Sequence, residues 1–368
     1  MSKRLLAISH PSVVSVNQEV YRELVGRGWE VTLVVPDAWR HDYAEGRVAP
    51  QVLDGMEDSM RRLPVAMRGW PQRHFYLARC GRLCAEASPD VAFVEAEAFS
   101  FSAIQWSRAL ARRRIPFGVQ AAENIDRRLP APVRWQRSRV LRQAAFVAAR
   151  GDGAARLARA WGARGEVGSA PHAVPGWQTA PAGDPDRPFT VGYAGRLVES
   201  KGLFDLLAAV RLMEAPVELL LIGNGDLREQ LAGQEIPGSR VRVLDGFSHE
   251  RMAEAYAQLD VVALPSQTTP TWMEQFGRVI VEALWCGVPV VGSDSGEIPW
   301  VIEQTRGGLV FPEGDSAALA ARLAELREDA ALRRRLAAEG RERVEALFSL
   351  PAATDALEAL LLRAAAGR

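Results

Sequence analysis

Two carboxylates bracket one apolar run in this chain. Glu274 opens the stretch Met273-Glu274-Gln275-Phe276-Gly277-Arg278-Val279-Ile280-Val281-Glu282, and Glu282 closes it before Gly287 and Pro289 lead into a buried strand. If the run is one helix over Phe276–Trp285 reaching back to Glu274, the two acids stand about 12 Å apart along its axis. That is wider than the about 5–9.5 Å that paired carboxylates need to cleave a glycosidic bond. The pair could instead grip two ends of an extended ligand. Backbone amides of Phe276, Gly277, Arg278 and Val279 at the helix start would favour phosphate oxygens between them. Plain solvent-facing glutamates are the alternative.

A second constellation is Gly192-Tyr193-Ala194-Gly195-Arg196-Leu197-Val198-Glu199-Ser200-Lys201-Gly202, in which an apolar strand ends at Gly195 and a helix follows Gly202. Arg196 and Lys201 in such a loop could neutralise a departing diphosphate, or be surface cations. Gly223-Asn224-Gly225 also follows a strand but lacks the third glycine of a dinucleotide fingerprint.

These residues need a frame to hold them, and the chain alternates strand and helix patterns throughout. Strands read at Leu5–Ser9, Val31–Val35, Val91–Val94, Phe117–Gln120 and Ala145–Ala148, with a polar, irregular stretch running to about Gln72. Helices read at Asn17–Gly26, Phe75–Ala87, Phe101–Arg113, Val133–Gln143 and Ala154–Trp161. Five prolines between Pro171 and Pro188 break the pattern. It restarts at Phe189–Tyr193 and ends in a tail from Ser316 to Ala366, helical throughout with one break near Pro351. The reading is α/β, with parallel sheets in two Rossmann-like domains facing a central cleft. Residues 1–170 form the first domain, 171–188 a linker and 189–345 the second domain. Residues 346–368 form a C-terminal helix that could pack back on the first.

The pieces of the second half, in their order, resemble the retaining glycosyltransferases of family 4, which have the GT-B fold. The likeness runs from Gly195-Arg196 and Lys201-Gly202 through Gly223-Asn224-Gly225, Gly246-Phe247, Asp260 to Pro265-Ser266, and Glu274 to Glu282. It ends at Gly287 to Val291 and Gly296-Glu297-Ile298-Pro299. The first half matches only in layout, and Ser9-His10-Pro11-Ser12 stands where a Gly-Gly pair is common. The resemblance implies a donor domain in 189–345 and an acceptor domain in 1–170. Glu274 would hold the donor sugar hydroxyls beside the amides of Phe276 and Gly277. Arg278 and Val279 amides would meet the phosphates, and Glu282 the ribose. Arg196 and Lys201 would clamp the diphosphate near Gly195, and Phe247 would border the base. A front-face transfer would let the departing phosphate take the acceptor's proton. The family is metal-independent, and the only Asp-x-Asp triplet, Asp184-Pro185-Asp186, falls in the linker. Surface polysaccharide, glycolipid or small-molecule glycoside assembly is the expected setting. A non-catalytic nucleotide-sugar binder, or an epimerase or phosphorylase of the same fold, would keep the frame with different chemistry.

On the acceptor side, Glu123-Asn124 follows a strand, close to where the family often has a histidine. Glu123 could orient an acceptor hydroxyl, cap the next helix, or pair with Arg127 or Arg128. His10 ends the first strand. Sugar, lipid-linked or small-molecule acceptors are all compatible, and no nucleic-acid partner is expected.

Net charge is zero over 368 residues. It is unevenly spread: residues 1–185 carry 26 Lys+Arg against 18 Asp+Glu, leaving 19 against 27 for the rest. A basic first half fits an anionic partner. The segment Arg134-Trp135-Gln136-Arg137-Ser138-Arg139 could lie on an anionic membrane, or be a solvated helix face. Three cysteines without zinc spacing read as reduced structural thiols. No apolar run reaches secretory-signal or membrane-spanning length. A cytoplasmic protein, at most peripheral at the inner face of the membrane, is the expectation.

Overall fold

The computed structural model describes residues 3–40, 47–174, 176–177, 187–247 and 251–367. Asp184-Pro185-Asp186 and most of the proline-rich linker lie outside the described residues. The chain divides into two compact units, residues 1–171 with 350–368, and residues 172–349.

The first unit contains β1 (Lys3–Ser9), β2 (Trp29–Pro36), β3 (Trp39–Arg40), β4 (Arg47–Val48), β5 (Met60–Leu63), β6 (Val65–Ala66), β7 (Phe75–Tyr76), β8 (Val91–Glu97), β9 (Phe117–Ala121), β10 (Phe146–Ala149) and β11 (Glu166–Ser169). Its helices are α1 (Glu19–Gly26), α2 (Cys80–Ala87), α3 (Phe101–Arg112), α4 (Ala131–Gln143) and α5 (Asp152–Ala160). A seven-stranded sheet runs β11-β10-β9-β8-β1-β2-β5, and its paired strands are all parallel. β8 is buried along its whole length. Such a strand, covered on both faces, has no polar alternation to show.

The second unit holds β12 (Thr190–Ala194), β13 (Glu218–Ile222), β14 (Arg240–Leu244), β15 (Val261–Leu264), β16 (Val290–Ser293) and β17 (Gly308–Phe311). They form a six-stranded parallel sheet in the order β14-β13-β12-β15-β16-β17. The helices are α6 (Leu203–Leu212), α7 (Arg228–Ala232), α8 (Met252–Tyr256), α9 (Arg278–Trp285), α10 (Ile298–Thr305), α11 (Ser316–Glu328) and α12 (Ala330–Phe348). In this order β12 lies beside β15 while β13 and β14 fan out on its other side. Strand order across the sheet therefore reverses at β12, and the loops at the carboxyl ends of β12 and β15 lie side by side, with Gln267 N bonded to Ser200 O at 2.9 Å.

The final helix, α13 (Leu350–Ala366), belongs to the first unit. Its Leu357, Leu360 and Leu361 are buried in one cluster with Leu5, Phe93 and Phe146. Arg27 reaches Glu358 at 2.8 Å, and Trp29 Nε1 donates to the same carboxylate at 2.8 Å.

Several boundaries differ from the sequence reading. The expected helix from Phe75 begins at Cys80, because Phe75 and Tyr76 pair with Val65 and Ala66 as a short hairpin. The polar stretch before Gln72 contains a sheet strand, β5. The tail breaks at Asp329 as well as Ser349; the Asp329 side chain accepts from Leu332 N and starts a new helix. The helix expected from Phe276 starts only at Arg278, because Gly277 is left-handed at φ 73°. A Cβ there would press on Ile280 and Leu264. Glu274 therefore lies on irregular chain before the helix, and the 12 Å helical spacing to Glu282 does not apply.

Candidate active site

The loop after β12 is tied to the loop after β13. Tyr193 donates its hydroxyl to the Arg196 carbonyl at 2.7 Å, Leu197 N bonds Asn224 O at 2.9 Å, and Leu227 N bonds Leu197 O at 3.0 Å. This lacing leaves the Arg196 side chain exposed at the carboxyl edge of the sheet. Five residues on, a single 3-10 turn over Glu199–Lys201 turns the chain towards α6.

Lys201 Nζ donates to Glu274 Oε2 at 2.6 Å. The two side chains are 12% and 13% exposed, so water screens this pair only in part. The ammonium also stands 4.4 Å from the Trp272 ring centroid, within cation–π range. Ser266, just past the end of β15, donates its hydroxyl to the same Glu274 oxygen at 3.1 Å. Ser293, at the end of β16, holds the Ser266 carbonyl at 2.5 Å. Lys201 and Ser266 thus meet on one carboxylate, with Ser266 held from the end of β16.

The backbone of Glu274 is clasped from the loop after β16. Glu297 N donates to Glu274 O at 3.0 Å. Gly296, at φ 57°, approaches so closely that a Cβ would fall 2.1 Å from that oxygen. The Gly296-Glu297 pair has no room for a side chain at its first position. Phe276, two residues past Glu274, is buried with its ring 5.5 Å from that of His172 and 5.8 Å from that of Phe348.

Gly277 caps α9 without a side-chain acceptor. Ile280 N already bonds Gly277 O at 2.8 Å. Of the four amides expected at the helix start, those of Arg278 and Val279 belong to its first turn, while Gly277 is the cap residue and Phe276 precedes it. First-turn amides have no carbonyl one turn back, and the helix dipole makes their end attractive to anions. Glu282 is 6% exposed rather than at a helix tip. Tyr256 donates to its Oε2 at 2.9 Å and Arg278 Nε lies 2.9 Å from its Oε1. Burial raises the Glu282 carboxyl above its ordinary range, against the pull of Arg278. Phe247 is half-buried against the core, with the Arg251 guanidinium 5.7 Å from its ring.

In the first unit the candidate residues lie at the carboxyl ends of β1 and β9. His10 sits in an aromatic cluster, its ring 5.2 Å from Trp39 and 5.0 Å from His74. Burial and the neighbouring His74 lower its pKa to about 3, so it is neutral at physiological pH. Its Nδ1 is buried without a hydrogen-bond partner. Glu123 is 5% exposed. Its Oε1 accepts from Ile125 N at 3.2 Å and its Oε2 pairs with Arg127 Nε. Of the readings open from sequence, pairing with Arg127 is the observed arrangement. Asn124 follows it, half-buried. Arg137, in the helix read as a basic surface, is buried instead, with its guanidinium 3.8 Å from the Trp161 ring centroid.

Sequence reasoning missed several polar groups here. Glu95 accepts from Tyr21 at 2.7 Å and from Arg150 at 2.8 Å. Glu97 accepts from the amides of Ala122 and Glu123 at 2.6 and 2.8 Å. Both acids end an apolar strand, which was the one available signal. Trp272 and Tyr256 were missed in the second unit, and Ser266 was read only as part of a motif, since nothing local ties them to Lys201, Glu274 or Glu282. Among the described residues no group of three or more His, Cys, Asp or Glu could hold a metal.

Two parallel doubly wound sheets of this kind define the GT-B fold, and solved structures agree over the full chain. Sucrose-phosphate synthase from Thermosynechococcus elongatus superposes with a TM-score of 0.73 at 20% identity, covering 100% of both chains. HepE from Anabaena, solved with UDP, gives 0.73 at 18% identity over 98% of this chain and 99% of that one. The profile of the family "Glycosyl transferases group 1" matches residues 178–343, and this segment belongs to that family. Among curated relatives, the phosphatidyl-myo-inositol mannosyltransferase of Mycobacterium leprae is 38% identical over 170 residues, 44% of each chain. The lipopolysaccharide core biosynthesis glycosyltransferase LpsD of Rhizobium meliloti is 35% identical over 185 residues, 49% of this chain and 51% of its own. The chain thus spans about half the length of the curated relatives it matches.

Proposed function

We propose that the protein is a retaining glycosyltransferase that moves a sugar from a nucleoside diphosphate sugar to an acceptor hydroxyl. The observation that carries this reading is the cluster of Lys201, Glu274 and Ser266 where β12, β15 and β16 end, three residues before the capless start of α9. Arg196 and Lys201 supply positive charge for the diphosphate, and the Arg278 and Val279 amides supply donors for its oxygens. Glu274 exchanges its contact with Lys201 for the donor sugar hydroxyls, leaving the ammonium to the phosphate. Glu282 accepts the ribose hydroxyls in place of Arg278, and Phe247 borders the base.

In the transfer, the bond from the anomeric carbon to the diphosphate oxygen breaks and a bond to the acceptor oxygen forms on the same face. The acceptor's proton passes to the departing phosphate oxygen. No protein nucleophile is used. The matched relatives are named for work on a phosphatidylinositol lipid and a lipopolysaccharide core. Those names support a sugar or lipid-linked acceptor in polysaccharide or glycolipid assembly, on the cytoplasmic side of a membrane. His10 and Asn124 are the acceptor-side residues we retain, with Glu123 acting through Arg127.

The test is nucleotide release from a panel of UDP, GDP, ADP and TDP sugars. Wild type releases nucleotide from one donor, and Glu274→Ala loses that release while still binding the nucleotide. Absence of both turnover and binding at millimolar donor contradicts the reading.

A further inference from the structure

Residues 67–82 and 101–114 are next to each other in space and carry eight arginines without one carboxylate. Hydrogen bonds join the two segments: Phe101 N donates to Gln72 O at 3.1 Å, and Tyr76 N donates to the Gln105 side-chain Oε1 at 2.9 Å. Between them, α2 and α3 bound a groove of about 890 Å³ whose walls include Phe75, Phe101, Ile104, Arg108, Arg112 and Arg113. Phe75 and Phe101 line this groove, and with Met67, Trp70 and Leu77 on the segment leading into it they make up five of the eight exposed large hydrophobic side chains among the described residues. Trp70 is 56% exposed and Leu77 58%. Soluble surfaces scatter such side chains singly; a cluster of this size marks an interaction face.

Most of the charges on this face have no carboxylate partner among the described residues. Of the eight arginines, only Arg68 and Arg82 pair with a carboxylate among the described residues, with Asp37 and Glu86. Arg73 lies over the Trp70 ring at 5.2 Å. Arg79, Arg108, Arg112, Arg113 and Arg114 are exposed.

We propose that this face docks the protein on the surface of an anionic lipid bilayer. Tryptophan, leucine and phenylalanine enter the boundary between headgroups and acyl chains, while the arginines remain at phosphate level. The composition selects this partner. Nucleic acid would reward the arginines but gives no return for exposed Leu77 and Met67. A second copy related by a two-fold axis would set these cations against each other. The face is distinct from the basic stretch of α4, where Arg137 is turned inward. Docking needs no nucleotide, so it stands or falls separately from the transferase reading.

The experiment is co-sedimentation of the full chain with vesicles of phosphatidylcholine alone or with one third phosphatidylglycerol. Wild type pellets with the anionic vesicles, stays soluble with neutral ones, and is released by high salt. Each arginine near such a surface strengthens partitioning about fivefold, so Arg73→Gln, Arg108→Gln and Arg112→Gln together weaken it on the order of a hundredfold. Trp70→Ser with Leu77→Ser also abolishes pelleting, whereas Trp135→Ser with Arg139→Gln on α4 leaves it intact. All these side chains are exposed, and unchanged far-UV circular dichroism shows that the variants fold. Equal binding to neutral vesicles, no binding to either, or wild-type pelleting by the face variants overturns the proposal. So does self-association of wild type that the face variants dissolve, or binding to DNA but not to vesicles.

Discussion

Gly296→Ala tests whether the clasp on Glu274 sets the geometry of the reaction. The new Cβ would lie 2.1 Å from the Glu274 carbonyl oxygen, where ordinary contact begins at 3.4 Å. Relief needs a shift of about 1.3 Å, in a main chain also fixed by the Glu297 amide at 3.0 Å. A misplacement of about 1 Å at a reacting centre can cost about 100-fold in rate. The φ of 57° adds about 1–2 kcal/mol of backbone strain for a residue with a Cβ. We expect kcat/KM to fall by about 100-fold and the melting temperature to fall by several degrees, while affinity for the bare nucleoside diphosphate changes little. The assay is nucleotide release from the preferred donor, with nucleotide affinity measured by calorimetry on the same sample. A folded Gly296→Ala enzyme within about threefold of wild-type kcat/KM would refute the argument that this contact holds Glu274 in place.

Two further predictions concern the first unit. Burial pushes the Glu97 carboxyl up to about 7 from its ordinary 4.5, so the native state keeps a proton that the unfolded chain loses between those values. Stability of this unit therefore declines as pH rises through that window, by about 3 kcal/mol in all. Glu97→Gln removes that decline in the hydrogen-exchange protection of β8 and β9. It leaves the acid-side loss below pH 6.5 from His10 and His74, whose pKa values are lowered to about 3 and about 4. An unchanged pH profile in Glu97→Gln contradicts the assignment. Ending the chain at Ser349 removes α13 and strips three buried leucines from the first unit. At about 2–5 kcal/mol each, that loss matches the whole stability of a domain. We expect limited proteolysis to degrade the first unit while a 172–349 fragment persists; a wild-type digestion pattern would contradict this.

Much of the frame could be read from the chain because its central strands are buried on both faces. Val91–Val94 of β8 and Leu219–Ile222 of β13 appear as unbroken apolar runs for that reason. The edge strands of the first sheet gave no such signal: β5 is Met-Arg-Arg-Leu, and β11 has one large apolar residue, Val167. The Phe75 and Leu77 side chains imitated the apolar face of a helix, yet both are exposed. At the site, the motif residues were visible but their contacts were not. Lys201 and Glu274 are 73 positions apart, and only the parallel order of β12 and β15 brings them together. The placement of Glu274 on a helix failed through Gly277, whose left-handed φ starts the helix late. The same composition that suggested a basic first half did not say which face carried it, because Arg137 turned inward and the arginines beside Trp70 did not.

The central claim is that a diphosphate is held by Arg196, Lys201 and the first turn of α9. Titration calorimetry with UDP, GDP, ADP and TDP on wild type and on Arg196→Ala with Lys201→Ala tests it most directly. One nucleotide should bind wild type in the micromolar range and the double variant at least about 50-fold more weakly, consistent with charge-assisted contacts of about 1.5–3 kcal/mol each. Equal affinity in the two proteins, or no nucleotide binding by the folded wild type, would contradict the account.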